Sequence, residues 1–545
     1  MIARVVRGCR IQGSVGAFLG MLAFASSAPA ASPHQVVRTW RQAHEKQILA
    51  DFSQFLSLPN VATRLPDVEK NAAYIEAELK RRGFETRTLS AGPGTPPSVF
   101  AELKTAGAKR TVLFYAHYDG QPIAQKGWLT DPFTPSLRTA LPEAREINWQ
   151  TLNGPLDPNW RLYARGAGDD KASIQALLSA FDALKANGIK PSVNIKILYE
   201  GEEEQGSPHF GKIVQENRDL LKADALIMGD GPMHQSGRQM VAFGNRGIAG
   251  FSLTVYGPLN PLHDGHYGSF APSPSVMLAR LLAALRDDDG KILIPGFYDD
   301  VAPPSAADEA AIAAMPQIEP ELKTKLGLGR NVGPARLAEG YLKPTLNIRS
   351  IHVGDEGPDP ANAIAPEGFA SLDIRLAQGE TPAHVRQLVE AYLQSLGWYI
   401  VRSTPDLATR LAHPKIVKVD WDAGASIAAK TSLDLPAAKA VVGSIARTVG
   451  YAPIELPTSG ASSGIAEAVD QLHTPMIGVS IANYDDNQHA RNENLRVGNL
   501  WDGIEVYAGL LADLDWPSAA LTSEGTQKPC TRRGTRAQSC QTASR

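Results

Sequence analysis

The chain has 545 residues, too many for one hydrophobic core, so two or more domains are expected. Its composition is 43% hydrophobic and 20% charged with a formal net charge of -3, an ordinary globular balance that excludes the broad basic surface nucleic-acid binding needs. Of three cysteines none lies near a cluster of other metal-ligand types, which argues against a thiolate metal centre.

At the start, Arg4, Arg7 and Arg10 precede an apolar stretch from Val15 to Ala25, and Ala28-Pro29-Ala30 follows. This pattern predicts a secretory signal peptide over residues 1–30 with an Ala-x-Ala cleavage site. The apolar run is shorter than a bilayer requires, which disfavours an uncleaved anchor. No later segment is long and apolar enough to span a membrane. The expectation is an exported protein, periplasmic or extracellular, with no stable membrane insertion.

From Asp67 to Arg82 the residues Val68, Ala72, Ile75 and Leu79 fall on one helical face, and Gly83 is a stop signal. Strand-like runs follow at Val99 to Leu103 and Thr111 to Tyr115. After Lys171, Ile174, Leu177, Leu178, Phe181 and Leu184 form a helical stripe ended by Gly188. Val193, Ile195, Ile197 and Tyr199 alternate as a strand. Strands are also expected at Ala225 to Met228 and Met476 to Ile481. Strands alternating with helices predict an α/β fold, a mixed sheet with helices on both faces, whose ligands collect beyond the carboxyl ends of the strands.

The character changes over 245–428, where strands (Phe251 to Tyr256, Leu346 to Ile351, Ala370 to Leu376, Tyr399 to Arg402) mix with helices (Ser273 to Leu285, Pro382 to Leu396). This reads as an inserted α+β domain dividing the catalytic domain into 33–244 and 429–517. A Ser/Thr/Arg-rich tail over 518–545 reads as disordered, and Cys530 and Cys540 within it could close a small disulfide in an oxidising compartment.

Potential metal ligands gather at the predicted strand ends. His117-Tyr118-Asp119 follows one strand, Glu202-Glu203-Glu204 another, Asp230-Gly231 a third, and His489 comes after the apolar 476–481 run; Asp169-Asp170-Lys171 closes a Gly-rich loop. Singly, each is bland: His-x-Asp is commonly a surface pair, three Glu a solvated face, Asp-Gly a turn. Together, in this order, they suit a carboxylate-bridged two-metal hydrolase, which also needs one carboxylate that is not a ligand to move protons.

The longer motifs are Phe114-Tyr-Ala-His-Tyr-Asp119, Leu162-Tyr-Ala-Arg-Gly-Ala-Gly-Asp-Asp-Lys171, Glu200-Gly-Glu-Glu-Glu-Gln-Gly-Ser207, His489-Ala-Arg-Asn-Glu493 and Gly290-Lys-Ile-Leu-Ile-Pro-Gly-Phe-Tyr-Asp299. Through them the chain resembles the M20 family of metallopeptidases, in its carnosine-dipeptidase-like and nonspecific dipeptidase branch, from about Asp51 to about Leu514. The resemblance implies two zinc ions per subunit, with Mn or Co also compatible with such ligands. Asp169 would bridge them, His117 and Asp230 would complete one sphere, and Glu204 and His489 the other. Glu203 would be the general base and acid of hydrolysis by a metal-bridged hydroxide, and Asp119 would orient His117. The family also implies a cis peptide between Asp169 and Asp170.

In the inserted region the resemblance implies a homodimer, in which His263 stabilises the oxyanion in the neighbouring subunit's site. It further implies substrate binding by Arg375, Asn362 and Ser462, the arginine holding a carboxylate. Ala172, Asp264 and the loop Gly460-Ala-Ser-Ser-Gly464 depart from the usual family residues, and Thr139 to Trp160 reads as an extra loop near the site mouth. The expected substrate is a small peptide, cleaved by an exopeptidase or dipeptidase. An N-acyl amino acid, cleaved by an amidase or deacylase, fits the same residues, and a secreted binding protein that has lost catalysis is the remote alternative.

Overall fold

A computed structural model describes residues 32–123, 126–355 and 361–517. The expected signal peptide, the tail and the Cys530–Cys540 pair lie outside these residues. Among them no helix is long and apolar enough to cross a membrane.

The larger sheet has eight strands in the order Glu85–Leu89, Ser98–Leu103, Asn194–Glu200, Thr111–His117, Ala225–Met228, Met476–Gly478, Met240–Ala242, Ile454–Leu456. Its centre is parallel, Thr111–His117 running alongside both Asn194–Glu200 and Ala225–Met228. Ser98–Leu103 and Glu85–Leu89 add antiparallel strands at one side, so the sheet is mixed. The central strands are buried on both faces, as helix-covered parallel strands are. Even Lys196 complies, its stem buried while Nζ donates to the carbonyls of Leu220 (2.6 Å) and Lys222 (2.8 Å).

The helix Leu65–Arg82 begins with proline in its first turn and ends where Gly83 takes a left-handed φ of 97°. The buried helix Lys171–Ala186 packs against Val497–Asp513, and both touch an N-terminal helix, Pro33–Leu56, that the apolar pattern does not announce. The reason is that Arg41 and Glu45 occupy its buried stripe. Arg41 pairs with Glu45 (2.5 Å) and with Glu505 of the last helix (2.8 Å), so charge stands where hydrophobic periodicity would be read. The end of the 139–160 loop is anchored on this N-terminal helix: Leu156 N donates to Glu45 Oε2 at 2.9 Å, and Lys46 Nζ to Leu152 O.

The second sheet has five strands, ordered Thr345–Val353, Glu367–Leu376, Gly247–Tyr256, Ile416–Ser426, Tyr399–Val401. Leu278, Leu281, Val385, Val389 and Leu393, from the helices Pro274–Leu285 and Pro382–Ser395, fill a core of their own against Phe251, Leu253, Leu372 and Val417. Helices Ala306–Ala314 and Leu337–Tyr341 lie within the 245–428 stretch, yet Ile312 and Ala338 pack on Met240, Ala242, Ile454 and Leu456 of the larger sheet. Lys430 Nζ also reaches Asp308 Oδ1 at 2.7 Å. These helices tie the insertion to the edge of the catalytic sheet.

Just before the helix Pro382–Ser395, Glu380 is buried. Its Oε2 accepts from Ala377 N at 2.6 Å while Oε1 has no partner, and burial pushes the carboxyl up to about 7. A folded-state value above the ordinary one means the native state takes up a proton more readily than the unfolded chain, so stability falls as pH rises through about 7. Glu380→Gln keeps the acceptor and removes the charge. Thermal melts should show a higher Tm for the variant at pH 8 and little difference at pH 4; a lower Tm at pH 8 would contradict the assignment.

Candidate active site

The acidic and histidine residues converge where the parallel strands end. His117 is the last residue of its strand and is fully buried, held in register opposite Glu200. Its Nε2 lies 2.8 Å from Asp169 Oδ1 and 4.0 Å from Asp230 Oδ1. The other Asp169 oxygen, Oδ2, lies 3.2 Å from His489 Nε2, which is itself 3.3 Å from Glu204 Oε2. Asp169 therefore stands between two imidazoles, one oxygen toward each. The peptide bond to Asp170 is cis.

Two ligand groups result, each with donor atoms within 4.8 Å of one another: His117, Asp170 and Asp230, and Asp169, Glu204 and His489. The sequence reading places Asp169 in both spheres and does not single out Asp170. The structure adds Asp170 beside His117 and Asp230, with Asp169 still in contact with His117. Ser173 Oγ lies 2.5 Å from Asp170 Oδ1 and 3.1 Å from Gly229 O, its single O–H shared between the two acceptors, and so links the Asp169-Asp170 loop to the strand end that carries Asp230. The doubled aspartate was the signal for this residue.

The three successive glutamates have three different environments, and none is a solvated face. Glu202 is buried and accepts from both the backbone N and Nδ1 of His209, each at 2.8 Å. Glu203 belongs to neither ligand group and accepts from Ser463 Oγ at 3.0 Å. Glu204 is gripped by Gln121, whose backbone N (3.1 Å) and Nε2 (2.7 Å) each donate to one of its oxygens. Gln121 and Ser463 were not read from the sequence, because amide and hydroxyl side chains carry no pattern of their own.

Asp119 is buried and does more than face His117, whose Nδ1 is 3.3 Å from its Oδ1. Its two oxygens accept from the backbone N of Glu203 (3.2 Å) and of Glu204 (3.0 Å). One carboxylate thus sets a histidine and two successive glutamates.

The donor set fits divalent cations. Burial, with Asp169 next in effect, pushes the Glu204 carboxyl up to about 9. Burial also raises Asp230 to about 6 against the opposing pull of His117. Glu203 rises to about 7 for the same first reason. Buried Asp170 Oδ2 has no hydrogen-bond donor. So many anionic oxygens, crowded and short of donors, are what hard dications satisfy, and histidine nitrogens add borderline character. His489 has a side chain 55% exposed, leaving the second group open to solvent.

Arg375 and Ser462 meet beside this cluster. Arg375 Nη1 donates to Ser462 Oγ at 2.9 Å, and its Nε to Asp373 Oδ2 at 3.0 Å. Because Ser463 bonds Glu203, the loop joins the arginine to the non-ligand carboxylate. Arg246 was missed: Nε and Nη2 donate to Gly460 O at 3.0 and 2.8 Å, and burial, then the neighbouring Arg375, lowers it to about 10. His263 and Asn362 lie elsewhere. They are carried by a two-stranded ribbon, Leu262–His263 against Ala363–Ile364, where Asp264 N donates to Asn362 O at 3.2 Å. The His263 ring is exposed and lies 4.4 Å from that of His266, not against the ligand groups of its own chain.

The profile of peptidase family M20/M25/M40 matches residues 113–513. The chain belongs to this M20 family. It is a metal-dependent hydrolase, and the mixed α/β architecture is that of M20 peptidases. It is 24% identical to a Cys-Gly metallodipeptidase of Schizosaccharomyces pombe over 86% of this chain and 95% of that one. It is 25% identical to the Beta-Ala-His dipeptidase of Homo sapiens over 80% and 83% of the two chains. Among solved structures, an M20 family metallo-carboxypeptidase from Sulfolobus solfataricus superposes with a TM-score of 0.71 at 26% identity, covering 86% of this chain and 99% of that one.

Asp119→Ala removes the acceptor for two backbone N–H groups and the neighbour of His117. The expected result is a cation affinity lowered ~10–100-fold with the fold retained. Chelator-competition titration together with circular dichroism checks this, and unchanged affinity would contradict the role.

Proposed function

We propose that this M20 hydrolase is an exported, di-zinc dipeptidase or exopeptidase that cleaves the peptide bond next to a free carboxylate. The observation that carries the reading is Asp169 standing between His117 and His489 with a non-ligand carboxylate, Glu203, beside them. The printed activities of the relatives, Cys-Gly and Beta-Ala-His dipeptidases, favour short peptides. Export rests on the signal-peptide pattern of residues 1–30.

His117, Asp170 and Asp230 would hold one cation, Glu204 and His489 the other, and Asp169 would face both. Bound there, the cations would supply Lewis acidity toward the scissile carbonyl and the attacking water. Glu203 takes a proton from the attacking water and passes it to the leaving amine, a task suited to a carboxylate that lies beside the ligand groups and belongs to neither. Ser463 fixes one Glu203 oxygen and leaves the other for proton transfer. Arg375, already oriented by Asp373 and Ser462, offers a planar fork to the substrate carboxylate. Water is admitted on the His489 side, where the ligand group is exposed.

His263 is assigned to the oxyanion of a second subunit's site, since its exposed position on the inserted domain suits action outside its own chain. In a homodimer of this kind, His263→Ala mixed with Glu203→Gln should regain part of the activity that each lacks alone. No recovery under subunit exchange, or full activity of a monomer by light scattering, would reject the assignment.

Release of free amino acids from a dipeptide panel should disappear on chelation and return with zinc. Glu203→Gln should lower kcat by ~10²–10⁴ while both cations stay bound. Cleavage confined to N-acyl amino acids would move the substrate class, and full activity of the glutamine variant would remove Glu203 from its role.

A further inference from the structure

Two charged residues at the floor of the site belong to neither ligand group. Arg165 and Glu493 are almost completely buried, and Arg165 Nη1 donates to Glu493 Oε2 at 2.7 Å. The other oxygen, Oε1, accepts from the backbone N of Gly168 (3.0 Å) and of Asp169 (3.1 Å). Arg165 is seated in turn: Nη2 reaches Pro122 O at 3.3 Å, and the guanidinium lies 5.1 Å from the centre of the Trp128 ring.

Glu493 comes four residues after His489, at the end of a turn in which Asn487, His489 and Asn492 all hold left-handed φ values near 60°. Its side chain therefore binds the backbone that carries one ligand, Asp169, while its own backbone continues the turn that carries another, His489. The backbone joins them too, Ala164 N donating to Glu493 O at 3.1 Å. Of the first group's ligands only Asp170 shares the loop that Glu493 holds, since His117 is set by sheet register and Asp230 follows a central strand, whereas in the second group both Asp169 and His489 lie on segments that Glu493 joins.

We propose that Glu493, salt-bridged to Arg165, is the positioning residue of the second cation site, fixing the separation of Asp169 from His489. The inference rests on the two-cation reading above. A carboxylate suits the task because it accepts several N–H bonds at once, and the arginine fork orients it in a space closed to water.

Zinc alone, titrated into the full-length apo-protein against a fluorescent chelator, tests the assignment. Wild type should take up two ions; fewer would overturn the two-cation reading and this inference with it. Glu493→Gln should bind one ion ~10–100-fold more weakly and the other weakened by a clearly smaller factor. Two ions at wild-type affinity would overturn the assignment while leaving the function intact, and equal weakening of both would reduce Glu493 to general support of the fold. Should the glutamine variant not fold, Arg165→Lys keeps the charge and loses the fork. It should show the same selective weakening to a smaller extent, and unchanged affinity for both ions would be decisive against the proposal.

Discussion

The structure depends on one carboxylate shared between two imidazoles. Asp169 presents Oδ1 to His117 at 2.8 Å and Oδ2 to His489 at 3.2 Å, and those histidines come from opposite ends of the catalytic fold. Crowding acidic groups in a buried place is unfavourable unless positive charge answers it, and their raised carboxyl values record that cost. The surrounding elements keep the arrangement from relaxing. Asp119 holds two backbone N–H groups, Gln121 holds both oxygens of Glu204, and Ser173 ties Asp170 to Gly229.

This layering separates residues by function. Glu203 and Glu204 are adjacent in sequence and share Asp119 as backbone acceptor, yet only Glu204 falls in a ligand group. A short turn, Glu203–Gln205, directs the two side chains to different partners, Ser463 and Gln121. The loop that holds Ser463 also holds Ser462 against Arg375, so Glu203 and the arginine are referenced to one piece of backbone. Its position is in turn set by Arg246 at the start of the second sheet.

Much of this was legible because strands and ligands have distinct signatures. Ile195, Ile197 and Tyr199 announce a strand by alternation, and a His or Asp at its end is conspicuous by type. The family motifs then supplied roles that spacing alone leaves open. What escaped is polar and paired. Arg41 and Glu45 hide the first helix by replacing apolar residues with a buried ion pair, and Gln121, Ser463 and Arg246 act through bonds to segments far away in sequence. Asp170 was visible but read as the partner of a cis bond, since only the fold shows which oxygen is left without a donor.

The order of the larger sheet has a consequence for how the molecule is made. Met476–Gly478 lies between Ala225–Met228 and Met240–Ala242, so the strand that closes the middle of the sheet is synthesised after the entire inserted domain. His489 and the helix Val497–Asp513 come later still. A nascent chain can assemble the second sheet, whose strands all lie between Gly247 and Ser426, before the first is complete. The two ligand groups are therefore complete only once His489 has been made, and a chain truncated before it carries the second sheet without a finished site.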